Sequence, residues 1–127
     1  MITLAAVCVA LTSAGANAAN LSDKDKQFLN SYEKVHTALA ADDLDAAKAA
    51  AGDLGADGAV LAKSTSLKAA RAEFEKLSAK AKQLATGQSG YHVYHCPMLN
   101  KDWVQTSTAT ANPYGGKNMI GCGEIQK

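Results

Sequence analysis

Residues 21–87 form a long stretch that contains no proline and is rich in alanine. Its larger apolar residues recur three or four positions apart, as they do along one face of an α-helix. Proline would remove backbone hydrogen bonds from such helices and kink or break them. We therefore predict that residues 21–87 fold into antiparallel helices.

The first predicted helix begins after Ser22, whose side chain suits an N-cap, and ends near Ala41. Asp23 and Asp25 fall in its first turn, where carboxylates favour the unpaired backbone amides. Its inward face is formed by residues at steps of three and four: Phe28, Tyr32, Val35, His36 and Leu39. We expect His36 to be a buried structural residue rather than a ligand.

Two further helices are predicted after a turn at Asp42. Asp43 is the next N-cap, and we predict that the weak helix that follows frays or breaks before Val60, because the glycines at positions 52, 55 and 58 each cost about 1 kcal/mol relative to alanine. The third helix has the clearest pattern, with charged residues opposite an apolar face and Gly87 as its C-cap. Its apolar positions are Leu67, Ala70, Phe74, Leu77, Ala81 and Leu84.

The first 19 residues lack charged side chains, and residues 4–11 are apolar. Ala16-Asn17-Ala18 supplies the small residues that a signal peptidase recognises. A membrane-spanning helix is the alternative, but the segment is marginal for the roughly 20 apolar residues that a bilayer requires. We expect residues 1–18 to be a cleaved secretory signal. Cleavage would remove Cys8 and leave a single periplasmic domain, residues 19–127.

The composition changes at Gln88-Ser89-Gly90, after which glycine, asparagine, threonine and aromatic residues become frequent. Residues 91–95, 102–107 and 119–125 are predicted to be extended, with a tight turn at residues 112–116. The predicted fold class is therefore mainly α: a bundle of three antiparallel helices followed by an irregular C-terminal region, residues 91–127, with short extended segments. We expect Trp103, Pro113 and Tyr114 to form a small core there.

Thirteen basic and twelve acidic side chains nearly balance. This balance gives no support to a nucleic acid or an anionic membrane as partner. The chain also has no Cys-x-x-Cys motif, and no cysteine and histidine with an orienting acid at a recognisable catalytic spacing. We therefore predict neither an enzyme nor a protein that binds nucleic acid or membranes.

The C-terminal region carries two pairs of sulfur ligands. Cys96 and Met98 flank Pro97, which restricts the backbone between them. Met119 precedes Cys122 by three positions. Soft thiolate and thioether sulfurs suit Cu(I), and thioethers bind Zn(II) poorly. We predict that these two cysteines and two methionines bind Cu(I), or silver as a similar soft ion.

Two histidines lie just before the first sulfur pair. If residues 91–96 are extended, alternation places His92 on the same face as Cys96 and His95 on the opposite face. A turn that starts at His95 would reverse this preference. We include His92 and His95 as candidate metal ligands, against the alternative that they are ordinary solvated or hydrogen-bonded side chains.

A disulfide is the alternative for Cys96 and Cys122, because an exported protein meets an oxidising compartment. The bond would close a loop over residues 96–122 and stabilise the fold by roughly 3 to 4 kcal/mol. The two alternatives can coexist over time, since an oxidised resting form and a reduced form loaded with Cu(I) are both chemically accessible.

Several motifs follow one another in the C-terminal region: Cys96-Pro97-Met98, Trp103-Val104-Gln105, Asn112-Pro113-Tyr114-Gly115, Met119, and Cys122-Gly123-Glu124-Ile125. Together they closely resemble the DUF3347 family, and residues 32–47 are similar to the first helical segment of that family. The family pattern usually has a second aromatic residue after the position of Tyr114, where this chain has Gly115-Gly116. His92 and His95 are not part of the pattern.

Members of that family occur as small exported proteins and as the C-terminal domain of some adaptor subunits of copper- and silver-type efflux pumps. The resemblance implies a bacterial periplasmic protein that handles copper or a similar soft metal, with ligands at Cys96, Met98, Met119 and Cys122. It implies an efflux adaptor or a copper-resistance protein as partner. We expect a free-standing carrier or buffer; a disulfide-stapled periplasmic interaction module is the alternative.

Overall fold

The structure, a computed structural model, describes residues 20–127, so the predicted signal and Cys8 lie outside the described residues. Within that range the elements are α1 (Asp23–Ala40), α2 (Leu44–Gly52), α3 (Ala59–Ala62), α4 (Leu67–Ala85), β1 (His92–Cys96), β2 (Lys101–Gln105) and β3 (Glu124–Ile125). Two short 3-10 helices span Gly55–Gly58 and Gly116–Met119. No helix within residues 20–127 is long and apolar enough to cross a membrane.

The predicted N-caps of α1 and α2 are confirmed. Ser22 Oγ accepts a hydrogen bond from the backbone N–H of Asp25 at 3.1 Å. Asp43 Oδ1 accepts one from the N–H of Ala46 at 3.0 Å. Each bond satisfies a backbone amide that the start of a helix leaves unpaired. The predicted end of α4 is also correct, since Gly87 follows it with φ +78°.

The predicted interruption of the second helix before Val60 is confirmed, but the prediction of three helices is incomplete because a further short helix follows it. α2 ends at Gly52, and Gly55 adopts φ +62°, a left-handed conformation that glycine adopts without steric cost. A 3-10 turn then leads into α3, a fourth helix of four residues. Leu61 of α3 is buried in the core, so this short helix also packs inward.

The extended segments predicted over residues 91–95 and 102–107 are confirmed as β1 and β2 with slightly shifted ends, and with β3 they form a small antiparallel sheet of strand order β2-β1-β3 that was not predicted. Tyr94 of β1 lies opposite Trp103 of β2 and Ile125 of β3. The prediction of an extended segment over residues 119–125 is wrong in its first half, because Met119 belongs to a 3-10 helix that follows the turn at Gly115 and Gly116. The fold is thus mixed, with helices as its larger part.

One hydrophobic core runs through the helices and the sheet. Phe74 of α4 stacks on Tyr32 of α1, with ring centroids 4.7 Å apart. Tyr114, in the loop after β2, contacts both Phe74 and the fully buried Trp103. Of the predicted core, Trp103 belongs to this larger cluster, Tyr114 packs against it, and Pro113 is fully buried. The C-terminal region is therefore packed directly against the helices.

Candidate functional site

Cys96 and Cys122 form a disulfide in the structure. Cys96 is the last residue of β1 and is fully buried, whereas Cys122 follows the second 3-10 helix and is half-buried. Their Cα atoms are 5.4 Å apart, a separation typical of disulfides. Of the two states considered for these cysteines, the structure contains the oxidised one.

The two predicted methionine ligands have different surroundings. Met98 lies in the turn between β1 and β2 and is 79% exposed. Met119 is half-buried against the core. Its side chain lies so close to Gly115 that a Cβ at that position would collide with it. The disulfide therefore joins two segments that each carry a methionine, one exposed and one packed.

The two predicted histidine ligands lie on opposite faces of β1. The strand is extended through Cys96, so alternation places His92 on the face of Cys96 and His95 on the other face, as expected for a strand. His95 Nδ1 donates a hydrogen bond to Asp102 Oδ1 at 2.6 Å. Lys82 Nζ donates to Asp102 Oδ2, also at 2.6 Å. His95 is thus part of an ion-pair cluster turned away from the disulfide.

The charge of Asp102 fixes the role of His95 in this cluster. Partial burial raises the pKa of Asp102, but the hydrogen bonds from Lys82 and His95 outweigh burial and hold the pKa below its usual range. Asp102 is therefore a carboxylate at neutral pH, and a carboxylate only accepts hydrogen bonds. Nδ1 of His95 must carry the proton, which leaves Nε2 as the nitrogen with an available lone pair when the ring is neutral.

Within residues 20–127, no group of three or more His, Cys, Asp or Glu side chains is arranged to hold a metal ion. The form of cysteine that binds metals is the thiolate, and both sulfurs are here bonded to each other. The predicted sulfur ligands therefore fit a soft ion only after the disulfide is reduced. The ligand set stays a prediction.

Asn112 closes the loop that carries Cys122. Its side chain is fully buried, and Nδ2 donates to the carbonyl oxygen of Cys122 at 2.9 Å. Oδ1 accepts hydrogen bonds from the backbone N–H groups of Tyr114 and Gly115, each at 2.9 Å. The backbone N–H of Asn112 donates to the carbonyl oxygen of Ile120 at 3.0 Å. The two ends of this segment, which we call the 112–122 loop, are thus joined independently of the disulfide.

Side chains of the helical region hold the start of the 112–122 loop. His36 Nε2 donates to the carbonyl oxygen of Ala111 at 2.6 Å, so His36 is a buried structural residue as predicted. Arg71 donates from Nε to the carbonyl oxygen of Pro113 at 2.8 Å and from Nη2 to Asp42 Oδ1 at 2.7 Å. The hydrogen bond from Arg71 lowers the pKa of Asp42, which keeps this ion pair charged.

The 112–122 loop approaches the helices closely at Gly116. This residue has φ +61°, and a Cβ there would collide with the carboxylate of Asp42 and the guanidinium of Arg71. The backbone N–H of Lys117 donates to Asp42 Oδ2 at 3.3 Å. Gly115 and Gly116, where the chain departs from the family pattern, therefore have a structural role, since one leaves space for Met119 and the other for Asp42.

The sequence patterns did not identify Asn112, Arg71 and Asp42 as residues that shape the site. A signal existed for Asn112, because asparagine in a turn before proline often binds neighbouring backbone groups. No local signal existed for Arg71, whose partners Asp42 and Pro113 are 29 and 42 positions away. Such contacts depend on how the helices pack and not on residue spacing.

Comparison of the chain with models of protein families, with curated proteins and with solved structures found no match. The resemblance to the DUF3347 family thus rests on the motifs quoted above. The family, and the copper chemistry that it implies, stay predictions.

Proposed function

We propose that this protein binds Cu(I), or a similar soft ion such as Ag(I), as a carrier or buffer in the periplasm. The ligands in this proposal are Cys96, Cys122, Met119 and Met98. The observation that supports it is the disulfide, which joins Cys96 and Cys122, 26 positions apart, and so links the two segments that carry the Cys/Met pairs. Four soft sulfur donors on two joined segments match the chemistry of Cu(I).

Metal binding in this proposal follows reduction of the disulfide. A dithiol reductant supplies two electrons and two protons, and the Cys96–Cys122 bond is converted into two thiols. Cu(I) then binds the sulfurs as thiolates and the thiol protons are released, so affinity rises with pH. A disulfide oxidant then accepts two electrons from the two thiolates and is itself reduced to a dithiol, which re-forms the Cys96–Cys122 bond and favours release of the ion.

The two methionines have different roles in the proposal. Met119 is half-buried next to Gly115, so its thioether has few accessible positions and serves as a fixed donor. Met98 is 79% exposed on the turn after Cys96, where it can reach an ion held by a partner protein. This arrangement suits transfer, because one exchangeable donor lets the ion pass between proteins without leaving sulfur ligands. A periplasmic efflux adaptor or a copper-resistance protein is the proposed partner.

A competition titration with a chromophoric Cu(I) chelator tests the proposal. We expect the reduced protein to bind one Cu(I) and the oxidised protein to bind none. Met119→Leu should weaken binding by at least about tenfold, or about 1.4 kcal/mol. Ile120→Leu is the matched control, since it changes an adjacent apolar side chain without removing sulfur. Failure of the reduced protein to compete, or equal affinity in Met119→Leu, would overturn the proposal.

The histidines need a separate comparison. His92 lies on the face of Cys96, whereas His95 is hydrogen-bonded to Asp102 on the opposite face. If an imidazole completes the site, we expect His92→Gln to weaken Cu(I) binding more than His95→Gln. The same titration measures the Cu(I) affinity of both variants. If both variants bind Cu(I) as tightly as the unaltered protein, the site contains sulfur ligands only.

A disulfide-stapled interaction module is the second candidate, and the bond between Cys96 and Cys122 favours it. In this case the sulfurs are structural, and the full burial of Cys96 protects the bond. Protein taken directly from the periplasm would then have the mass of the disulfide form, which is smaller than that of the reduced protein by two hydrogen atoms, and it would carry no metal. Cu(I) would not change the melting temperature of the reduced protein, whereas a metal-binding protein would be stabilised.

A further inference from the structure

We propose that Asn112 is a positioning residue that holds Cys122 opposite Cys96 whether or not the disulfide is formed. The inference extends the proposed metal site, and only the biological purpose of the positioning rests on that proposed function. The positioning itself concerns how close the two cysteine thiols are to each other. Asn112 would keep the second cysteine in place during the interval between reduction of the disulfide and arrival of the ion.

The hydrogen bonds of Asn112 use most of its capacity. Its amide group makes one donor bond to the carbonyl oxygen of Cys122 and two acceptor bonds to the N–H groups of Tyr114 and Gly115. Its backbone adds a bond from its N–H to Ile120 and one to its carbonyl oxygen from the N–H of Gly116. A buried side chain with this number of partners is costly to displace, because each lost partner leaves a desolvated polar group.

None of these bonds involves a cysteine sulfur, so reduction of the disulfide removes none of them. The start of the loop is also bound to the helical region through His36 and Arg71, whose partners are the carbonyl oxygens of Ala111 and Pro113. A chain of contacts therefore runs from α1 and α4 through Asn112 to the backbone of Cys122. This chain does not pass through the S–S bond.

The consequence is a high effective concentration of one thiol relative to the other. A flexible loop would lose the proximity of its cysteines on reduction, and each later event, whether reoxidation or metal binding, would have to order it again. With Asn112 in place, that ordering is already present in the folded chain. Preorganisation of this kind increases affinity without any new contact to the ion.

The thiol–disulfide equilibrium of the metal-free protein against glutathione tests the inference. We expect Asn112→Ala to lower the effective concentration of the thiols about tenfold, which makes the reduction potential about 30 mV less negative. Leu61→Ala is the control, because Leu61 is buried in α3, which packs against α2 and α4, and its truncation should act equally in both redox states. That variant should lower the melting temperature but change the equilibrium less than twofold.

An equal shift in Asn112→Ala and Leu61→Ala, or no shift in Asn112→Ala, would overturn the positioning role. No metal is present, so the result does not depend on the proposed function. A tenfold shift together with failure to bind Cu(I) would keep the positioning role and reject the metal site.

A measurement on the unaltered protein covers the case in which Asn112→Ala does not fold. The backbone N–H groups of Tyr114 and Gly115 are bonded to Asn112 Oδ1, so their hydrogen exchange reports on this contact. We expect both amides to stay protected after reduction of the disulfide, at rates close to those in the oxidised protein. Exchange at the rate of an unstructured chain in the reduced protein would overturn the inference.

Discussion

The helical region, residues 23–85, and the C-terminal region, residues 92–125, are held together by different interactions. The helices pack through buried apolar side chains such as Leu39, Phe74 and Ala81. The C-terminal region shares this core through Trp103, and it depends in addition on one disulfide and on side chains that bind backbone groups, notably Asn112 and Arg71. The region with the soft donors can therefore change its covalent state while the helices keep their packing.

The largest effect is expected from a change where the two regions meet. Phe74 is fully buried and contacts Tyr32 on the helical side and Tyr114 on the C-terminal side. We expect Phe74→Ala to lower the free energy of unfolding by about 3 to 5 kcal/mol, because it leaves a cavity between them. Urea denaturation measures this loss, with the exposed Val60→Ala as the control. A loss below 1 kcal/mol would show that the two regions do not share a core.

Loss of the disulfide should increase local opening near β3 more than in the helices. We expect the double variant Cys96→Ala/Cys122→Ala to lose about 3 to 4 kcal/mol, because the unfolded chain is no longer constrained by a closed loop. Hydrogen exchange should rise in β3, while the amides of α1 and α4 stay protected as measured by NMR. Equal loss of protection in α4 and β3 would contradict the expectation that the two regions respond differently to loss of the disulfide.

Arg71 sharpens the comparison because it connects the regions through polar contacts alone. Its guanidinium donates to the carbonyl oxygens of Leu39 and Pro113 and to the carboxylate of Asp42. We expect Arg71→Met to lower the free energy of unfolding by about 1 to 3 kcal/mol, because its polar partners lose a charged donor. Lys68→Met, one turn earlier on an exposed part of α4, is the control. Equal free energies of unfolding for the two variants would show that Arg71 does not help to connect the two regions.

The smallest effect is expected at acid pH, where the stability contributed by the ion pair of Asp42 and Arg71 depends on pH. The hydrogen bond from Arg71 lowers the pKa of Asp42 in the folded protein below its value of about 3.9 in the unfolded chain. The unfolded state therefore binds more protons between these two values, and the stability from Asp42 is present above about pH 4 and is lost as the pH falls further. Thermal unfolding at pH 6 and pH 3 should show a smaller pH effect for Asp42→Asn than for the unaltered protein. If the difference in stability between pH 6 and pH 3 is the same in Asp42→Asn as in the unaltered protein, the ion pair of Asp42 and Arg71 does not contribute to the pH dependence.

The helices were predictable because their signals are local. The caps at Ser22 and Asp43 and the apolar spacing of α4 depend on residues within a few positions of each other, and the structure confirms them. The fourth helix was missed because the glycines that weaken α2 also allow a 3-10 turn into α3. Local patterns do not decide between a frayed helix and a broken one.

The site was predictable only in part. Residue types and the prediction of export were enough to pair Cys96 with Cys122 as one alternative, and alternation along β1 separated His92 from His95. The different burial of the two methionines and the contacts of the 112–122 loop were not predictable. They depend on partners brought close by the packing of α1 and α4 against the sheet, which residue spacing does not encode.

The most direct test of the proposed metal site is copper K-edge X-ray absorption of the reduced protein to which one equivalent of Cu(I) has been added. We expect a first coordination shell made of sulfur alone, with one sulfur fewer in Met119→Leu. The double variant Cys96→Ala/Cys122→Ala should lose this shell. A first shell of nitrogen or oxygen in the unaltered protein, or the same sulfur shell in the double variant, would contradict a Cu(I) site formed by the two Cys/Met pairs.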